Sequence, residues 1–255
     1  MYRFESLPLR RTRNPHYRGF LFCTLAMNEE QYRILSADLK RAATRIPLHW
    51  GRIQNNGYDN ELKRHCNIFD IMSLDELEKN ISDFDAGHQA YYRRRWFLLR
   101  CAGCDEYLFC KNPNVIHNPD PFDKKWDIMI NGHIRLDIKG TVIPKAFRNE
   151  YRKVIDNPEE IIRFYYENQS QGIRYNMQDR LFIVHHSAAD EGRELLLRCA
   201  WEKKELIYNR FIENAETVDY FRYKDYKVAV IFIVETSENI LSYKIAGLDS
   251  GLEAV

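Results

Sequence analysis

The stretch Lys125-Trp-Asp-Ile-Met-Ile-Asn-Gly-His-Ile-Arg-Leu-Asp-Ile-Lys-Gly-Thr141 alternates apolar and polar residues almost strictly along two arms. Trp126, Ile128 and Ile130 share one side of the first arm, and Ile134, Leu136 and Ile138 share one side of the second. Successive strand side chains point to opposite faces, so this is the pattern of a half-buried hairpin. Both apolar sets must lie on one face, which pairs even-numbered residues with even-numbered ones. That parity rules out a two-residue Asn131-Gly132 turn. It predicts a three-residue loop, Ile130-Asn131-Gly132, with Gly132 in the left-handed position of a bulge. Asp127, Arg135, Asp137 and Lys139 then share the opposite face.

Two carboxylates held close repel each other, and a hard divalent cation such as Mg²⁺ or Mn²⁺ relieves the repulsion while keeping several waters. Metal-bound water ionises readily, and a neighbouring Lys orients it or stabilises charge on a phosphate. Without a cation, neutralising Asp137 is therefore expected to cost little stability or to add some. A plainer reading stands beside this one: exposed strand faces carry cross-strand ion pairs worth roughly 0.2–1 kcal/mol each.

The Asp127 arm followed by Ile-Arg-Leu-Asp-Ile-Lys-Gly-Thr resembles the PD-(D/E)xK nuclease superfamily, the restriction-endonuclease-like fold. The resemblance covers about fifteen residues directly, and a looser αβββαβ order extends it over the C-terminal two thirds. It implies that Asp127 and Asp137 ligate Mg²⁺ or Mn²⁺, with the Ile138 carbonyl as a further contact. Lys139 would position the attacking water for phosphodiester cleavage. Gln171-Gly-Ile-Arg-Tyr175 is similar to the Gln-x-x-x-Tyr element of the exonuclease branch, which would add Gln171 and Tyr175 to the catalytic set. Family members usually carry a Glu on the helix before the first catalytic strand. This sequence shows no clean equivalent, the nearest candidates being Asp85, Gln89 and Glu76. Asp120 of Pro119-Asp120 sits in a Pro-broken loop, which makes Asp127 the better first acid.

The chain has 255 residues, enough to bury a sizeable core, and its 45% hydrophobic and 29% charged residues read as globular. Lys and Arg total 38 against 37 Asp and Glu, so no global basic field marks a nucleic-acid binder. DNA contact must come from local patches. Arg10, Arg11 and Arg13 on an N-terminal arm, and Arg93 and Arg94 on a helix, are the candidates. Arg93, Arg94 and Arg95 spread over about 200° of a helix and cannot all face one ligand. No apolar leader opens the sequence and no run approaches membrane-spanning length. With six Cys and no leader, free thiols and a cytoplasmic location are expected.

The sequence divides near residue 70 into an N-terminal α/β extension (1–70) and a nuclease-like domain (71–255). Gly19–Ala26 reads as a strand, and Asn28-Glu-Glu-Gln31 as a capping box opening a helix to about Ile46. His49–Ile53 is a further candidate strand. Ser73 caps a short helix, a longer one spans about Asp85 to Arg100, and 112–123 reads as a loop. After the hairpin, Ala146–Val154 is expected as a third strand. Asn157-Pro158-Glu159-Glu160 then starts a helix toward Tyr175, with Asn at the N-cap and Pro at the first helical position. Arg180–His185, Lys227–Glu235 and Tyr243–Ala246 read as strands, and Asp190–Asn214 as one long helix.

Cys101-Ala-Gly-Cys104 with Cys110 suggests zinc or a redox pair, but a fourth ligand would have to come from Cys66, His65 or His117. Small apolar thiols in a hydrophobic helix are the expectation. His185-His186 reads as structural. The fold class is thus α/β: a restriction-endonuclease-like mixed sheet flanked by helices, with an N-terminal α/β extension. The expected function is Mg²⁺-dependent hydrolysis of DNA. The alternative is a catalytically inactive module of the same fold that binds protein or nucleic acid. The oligomeric state stays open, a dimer included.

Overall fold

Strong local signals recur as built elements in a computed structural model that describes residues 27–46, 56–120, 123, 125–168 and 178–255. Helix α1 (Glu29–Ala43) opens on the expected capping box: the Asn28 side chain accepts from Gln31 N, and the Gln31 side chain accepts from Asn28 N. Helices α2 (Asn56–His65), α3 (Leu74–Ile81) and α4 (Ala86–Cys110) follow, with Ser73 and Asp85 as N-caps of the latter two. Helix α4 continues ten residues past the expected Arg100, because the Cys101–Cys110 stretch keeps an apolar stripe of Cys101, Cys104, Leu108 and Phe109 facing inward.

Strands β1 (Val115–His117), β2 (Ile128–Ile130) and β3 (Ile134–Val142) form an antiparallel meander. The expected loop over 112–123 thus contains a strand, too short for its periodicity to show. A 3-10 helix at Lys145–Glu150, α5 (Tyr151–Asp156) and α6 (Glu159–Asn168) lead to β4 (Arg180–Ser187). Ala146–Val154 is therefore helical rather than a third strand. Val154 and Ile155 are its buried residues, and both pack in a cluster with Ile161 and Ile162 of α6. A 3-10 turn (Glu191–Arg193), α7 (Glu194–Leu197) and α8 (Trp201–Glu213) replace the single helix expected over Asp190–Asn214. The break falls at Ala200, whose ψ of 57° is not helical. Strands β5 (Phe221–Tyr223), β6 (Tyr226–Glu235), β7 (Leu241–Ile245) and β8 (Glu253–Ala254) complete the order.

Among the described residues the strands make one mixed, mostly antiparallel, open sheet of eight strands in the order β1-β2-β3-β4-β6-β7-β8, with β5 beside β6. Only β3-β4 and β4-β6 are parallel. Helices flank both faces, which is why β4 and the middle of β6 are apolar on both sides. One face packs Leu136, Ile138, Leu181, Ile183, Ala229 and Ile231 against α1, α3, α4 and α8. The other packs Phe182, Val184, Val228, Val230 and Phe232 against α5 and α6. Leu35 and Leu39 of α1 and Leu62 of α2 join the same apolar cluster as α4 and the sheet. The candidate strands at Gly19–Ala26 and His49–Ile53, and the end of the helix toward Tyr175, lie outside the described residues. Among the described residues no helix is long and apolar enough to cross a membrane.

Candidate functional site

The hairpin has the expected parity: Ile128 pairs with Leu136 and Ile130 with Ile134. The loop is three residues long but shifted by one, since Ile130 stays in the strand and His133 is the extra residue. Asn131 (φ 51°) and Gly132 (φ 77°) are both left-handed, and His133 N donates to Ile130 O at 3.1 Å. Asn tolerates that region better than most residues, so one tight Asn-Gly turn plus His133 meets the parity. Trp126 departs from the expected face. It is buried but lies outside the cluster that holds Ile128 and Ile130, and the Arg135 guanidinium covers its ring at 5.2 Å.

Strand β2 is short, and this creates the site. Its last paired rung is Ile128–Leu136, followed by Asp127 N donating to Leu136 O at 2.9 Å. From Asp137 to Val142, β3 is paired with β4 on its other edge. In this notch the Asp127 carboxylate replaces a backbone acceptor: Ile138 N donates to Asp127 Oδ2 at 2.7 Å. The Lys139 ammonium sits where three oxygens converge. It lies 2.5 Å from Asp137 Oδ1, 3.0 Å from Ile138 O and 3.6 Å from Asp127 Oδ2.

Asp137 is 3% exposed, and a second cation holds it. Arg180 Nε donates to Asp137 Oδ2 at 3.0 Å, and the Arg180 guanidinium lies 4.8 Å from the centre of the Tyr166 ring. The face expected to be a solvated strand surface is covered by α6 at this point. This burial gives the opposite expectation to a cheap neutralisation of Asp137, because a buried Arg would be left without its partner. Asp127 behaves differently. Burial first, then the charges of Glu106 and Asp137, push its carboxyl from the ordinary 3.8 up to about 7, against the pull of Lys139 and of the Ile138 N–H.

Glu106 of α4 went unrecognised in the sequence, although it supplies an acid on the helix before the strands. It lies close enough for its charge to raise Asp127. Asp85, Gln89 and Glu76 occupy other posts. Asp85 caps α4, Gln89 donates to Phe84 O, and Glu76 accepts from Met72 N. Asp85 stands about 30 Å from the level of Glu106 along the helix, at 1.5 Å per residue. Glu106 Oε2 lies 3.0 Å from His117 Nε2, while His117 Nδ1 lies 2.9 Å from Asn118 O. A carbonyl can only accept, so Nδ1 carries a proton, and the Nε2–Glu106 contact needs one more between its atoms. The Glu106 hydrogen bond accordingly raises His117 above its ordinary 6.5.

The donor set of Asp127, Asp137 and the Ile138 carbonyl is all oxygen and suits a hard divalent ion. Among the described residues no group of three or more His, Cys, Asp or Glu side chains is arranged to hold a metal. The convergent set here has two such side chains and one backbone oxygen.

Arg93 is bound by Glu78 at 2.8 and 2.7 Å and by Gln89 Oε1 at 3.1 Å. Arg94 points elsewhere, toward Arg198 and Glu194, and burial with the Arg198 charge pushes its guanidinium down to about 9. Arg10, Arg11, Arg13, Gln171 and Tyr175 lie outside the described residues. Cys101 and Cys104 are buried in α4, and burial pushes both thiols up. His185 is fully buried, bound through Nδ1 to Thr141 O at 3.1 Å and driven well below its ordinary value by burial. Compared with family models, with curated proteins and with solved structures, the chain matches none.

Proposed function

We propose that the protein is a metal-dependent nuclease of the PD-(D/E)xK kind, hydrolysing phosphodiesters of DNA with Mg²⁺ or Mn²⁺. The observation that carries this reading is the convergence of Asp137 Oδ1, Ile138 O and Asp127 Oδ2 on one cationic position in the notch of β3, now held by Lys139. The order α4-β1-β2-β3-α5-α6-β4 supports it, being close to the αβββαβ order that the resemblance implies, with β1 in place of the strand expected over Ala146–Val154. When bound, the metal supplies an activated water and neutralises charge on the phosphate. Asp127, Asp137 and the Ile138 carbonyl would hold it. Lys139, on the same strand edge, would orient water and face a phosphate. Arg180 fixes the Asp137 carboxylate in place, and Glu106 with His117 adds a shared proton near Asp127.

A non-catalytic module of the same fold is the second reading. The observation that favours it is the double engagement of Asp137 by Arg180 and Lys139, which neutralises it without metal. Purified protein is incubated with duplex and single-stranded DNA in Mg²⁺, in Mn²⁺ and in chelator, beside Asp127→Asn and Lys139→Ala. Metal-dependent cleavage lost in both variants supports the nuclease. Absence of cleavage together with no metal-dependent rise in melting temperature selects the non-catalytic module.

A further inference from the structure

Arg198 stands out among the charged groups that the proposed chemistry leaves unused. It is 7% exposed, and its guanidinium makes no hydrogen bond or ion pair with a described residue. The nearby carboxylates are each engaged by another cation, mainly through one oxygen. Glu194 Oε2 accepts from Arg148 at 2.8 Å, and its Oε1 lies 3.4 Å from His186 Nδ1. Asp105 pairs with the fully buried Lys204 and accepts from Tyr208 Oη at 2.8 Å. Arg94 adds a second positive charge from α4. A largely buried Arg whose guanidinium makes no ion pair of its own and keeps some solvent contact is placed to meet an anion from outside.

The place it points to is specific. Arg198 Nη1 lies 2.8 Å, and its Cζ and Asp105 Oδ2 each 3.9 Å, from where a Cβ would stand on Gly140. Gly140 is exposed, follows Lys139 directly and sits in the part of β3 that β2 does not cover. Any side chain there would strike the guanidinium, so glycine keeps the lane open. Lys139 leaves one face of β3 and Arg198 arrives at the other, with the open strand edge between them. We propose that Arg198 and Gly140 form a phosphate subsite beside the Asp127–Asp137–Lys139 group, gripping a phosphate of the nucleic-acid substrate. That the phosphate belongs to nucleic acid rests on the nuclease reading; the anion site itself rests on Arg198 and Gly140 alone. The planar fork of Arg matches two phosphate oxygens at once.

The test uses the full chain in chelator, so that binding is read without cleavage. A short labelled duplex is titrated by fluorescence anisotropy over a range of salt, with 5′-phosphate and with 5′-hydroxyl ends. Arg198→Gln is expected to weaken binding about tenfold and to lower the slope of log K against log salt by about 1, the signature of one lost phosphate contact. Gly140→Ala should weaken binding in the same direction, since its Cβ displaces Nη1. Inorganic phosphate should raise the melting temperature of the wild type and leave Arg198→Gln unmoved. Arg198→Gln itself should melt no lower than the wild type without phosphate, because an unpaired buried charge is gone. A loss confined to 5′-phosphorylated duplex assigns the subsite to terminal phosphate; an equal loss with both ends assigns it to the backbone. Unchanged affinity, slope and phosphate response in Arg198→Gln overturn the subsite even where metal-dependent cleavage is present. Arg198-dependent binding without any metal-dependent cleavage keeps the subsite and removes the nuclease.

Discussion

Asp127→Asn isolates the most perturbed group in the site. The wild-type carboxyl is raised from 3.8 to about 7, chiefly by burial, with Glu106 and Asp137 adding to it. Between those two values the folded protein keeps a proton that the unfolded chain gives up. The stability tied to that proton is therefore full below about pH 3.8 and is lost as pH rises to about 7. At 1.36 kcal/mol per unit, the ceiling on this loss is about 4 kcal/mol. The Asp127 side chain is 28% exposed, and solvent screening reduces the figure to about 2 kcal/mol. Asparagine keeps an oxygen for the Ile138 N–H and carries no charge. Asp127→Asn should then be more stable than the wild type at pH 8 without metal, by about 4–8 °C in melting temperature for a chain of this size. The gain should shrink toward zero near pH 4. Scanning calorimetry across pH 4–8 in chelator reads this directly. Millimolar Mg²⁺ or Mn²⁺ should raise the wild type by mass action and leave the variant behind. A variant that is less stable at pH 8, with a pH profile parallel to the wild type, would show that Asp127 is an ordinary ion-pair partner of Lys139.

Three further outcomes follow from the contacts. Asp137→Asn should lose about 3–5 kcal/mol in chemical denaturation, since it strands the Arg180 charge at 1% exposure; a loss under about 1 kcal/mol contradicts the buried pair. Glu106→Gln should lower the His117 pKa, because burial is then opposed only by the Asn118 carbonyl and the Asp127 charge, and should lower that of Asp127 too; NMR titration with unchanged His117 shifts would remove the shared proton. Lys204→Met leaves Asp105 charged and unpaired in the core and should cost about 3–5 kcal/mol, while adding Asp105→Asn should restore much of it. Equal losses in the single and double variants would mean that volume, not charge, decides there.

Local chemistry alone determined the hairpin and its chemistry-bearing face. Alternation over Ile128, Ile130, Ile134, Leu136 and Ile138 is a property of contiguous residues, and one apolar face permits only even-with-even pairing. The caps at Asn28 and Ser73 were legible for the same reason, each being a side chain that binds amides within three residues. Asp127 and Asp137 came together because parity demanded it. Tertiary structure alone decided what surrounds them. Strand β1 exists because β2 offers it a partner, not because three residues carry a period. Arg180 reaches Asp137 across 43 positions of chain through a parallel strand pair, and Glu106 arrives on a helix whose apolar stripe gives no sign of which acid meets a strand end. Arg198 depends on an exposed glycine in β3 and on carboxylates that pair with other cations instead. Charge partners are chosen by proximity in space, and sequence periodicity carries no record of that distance.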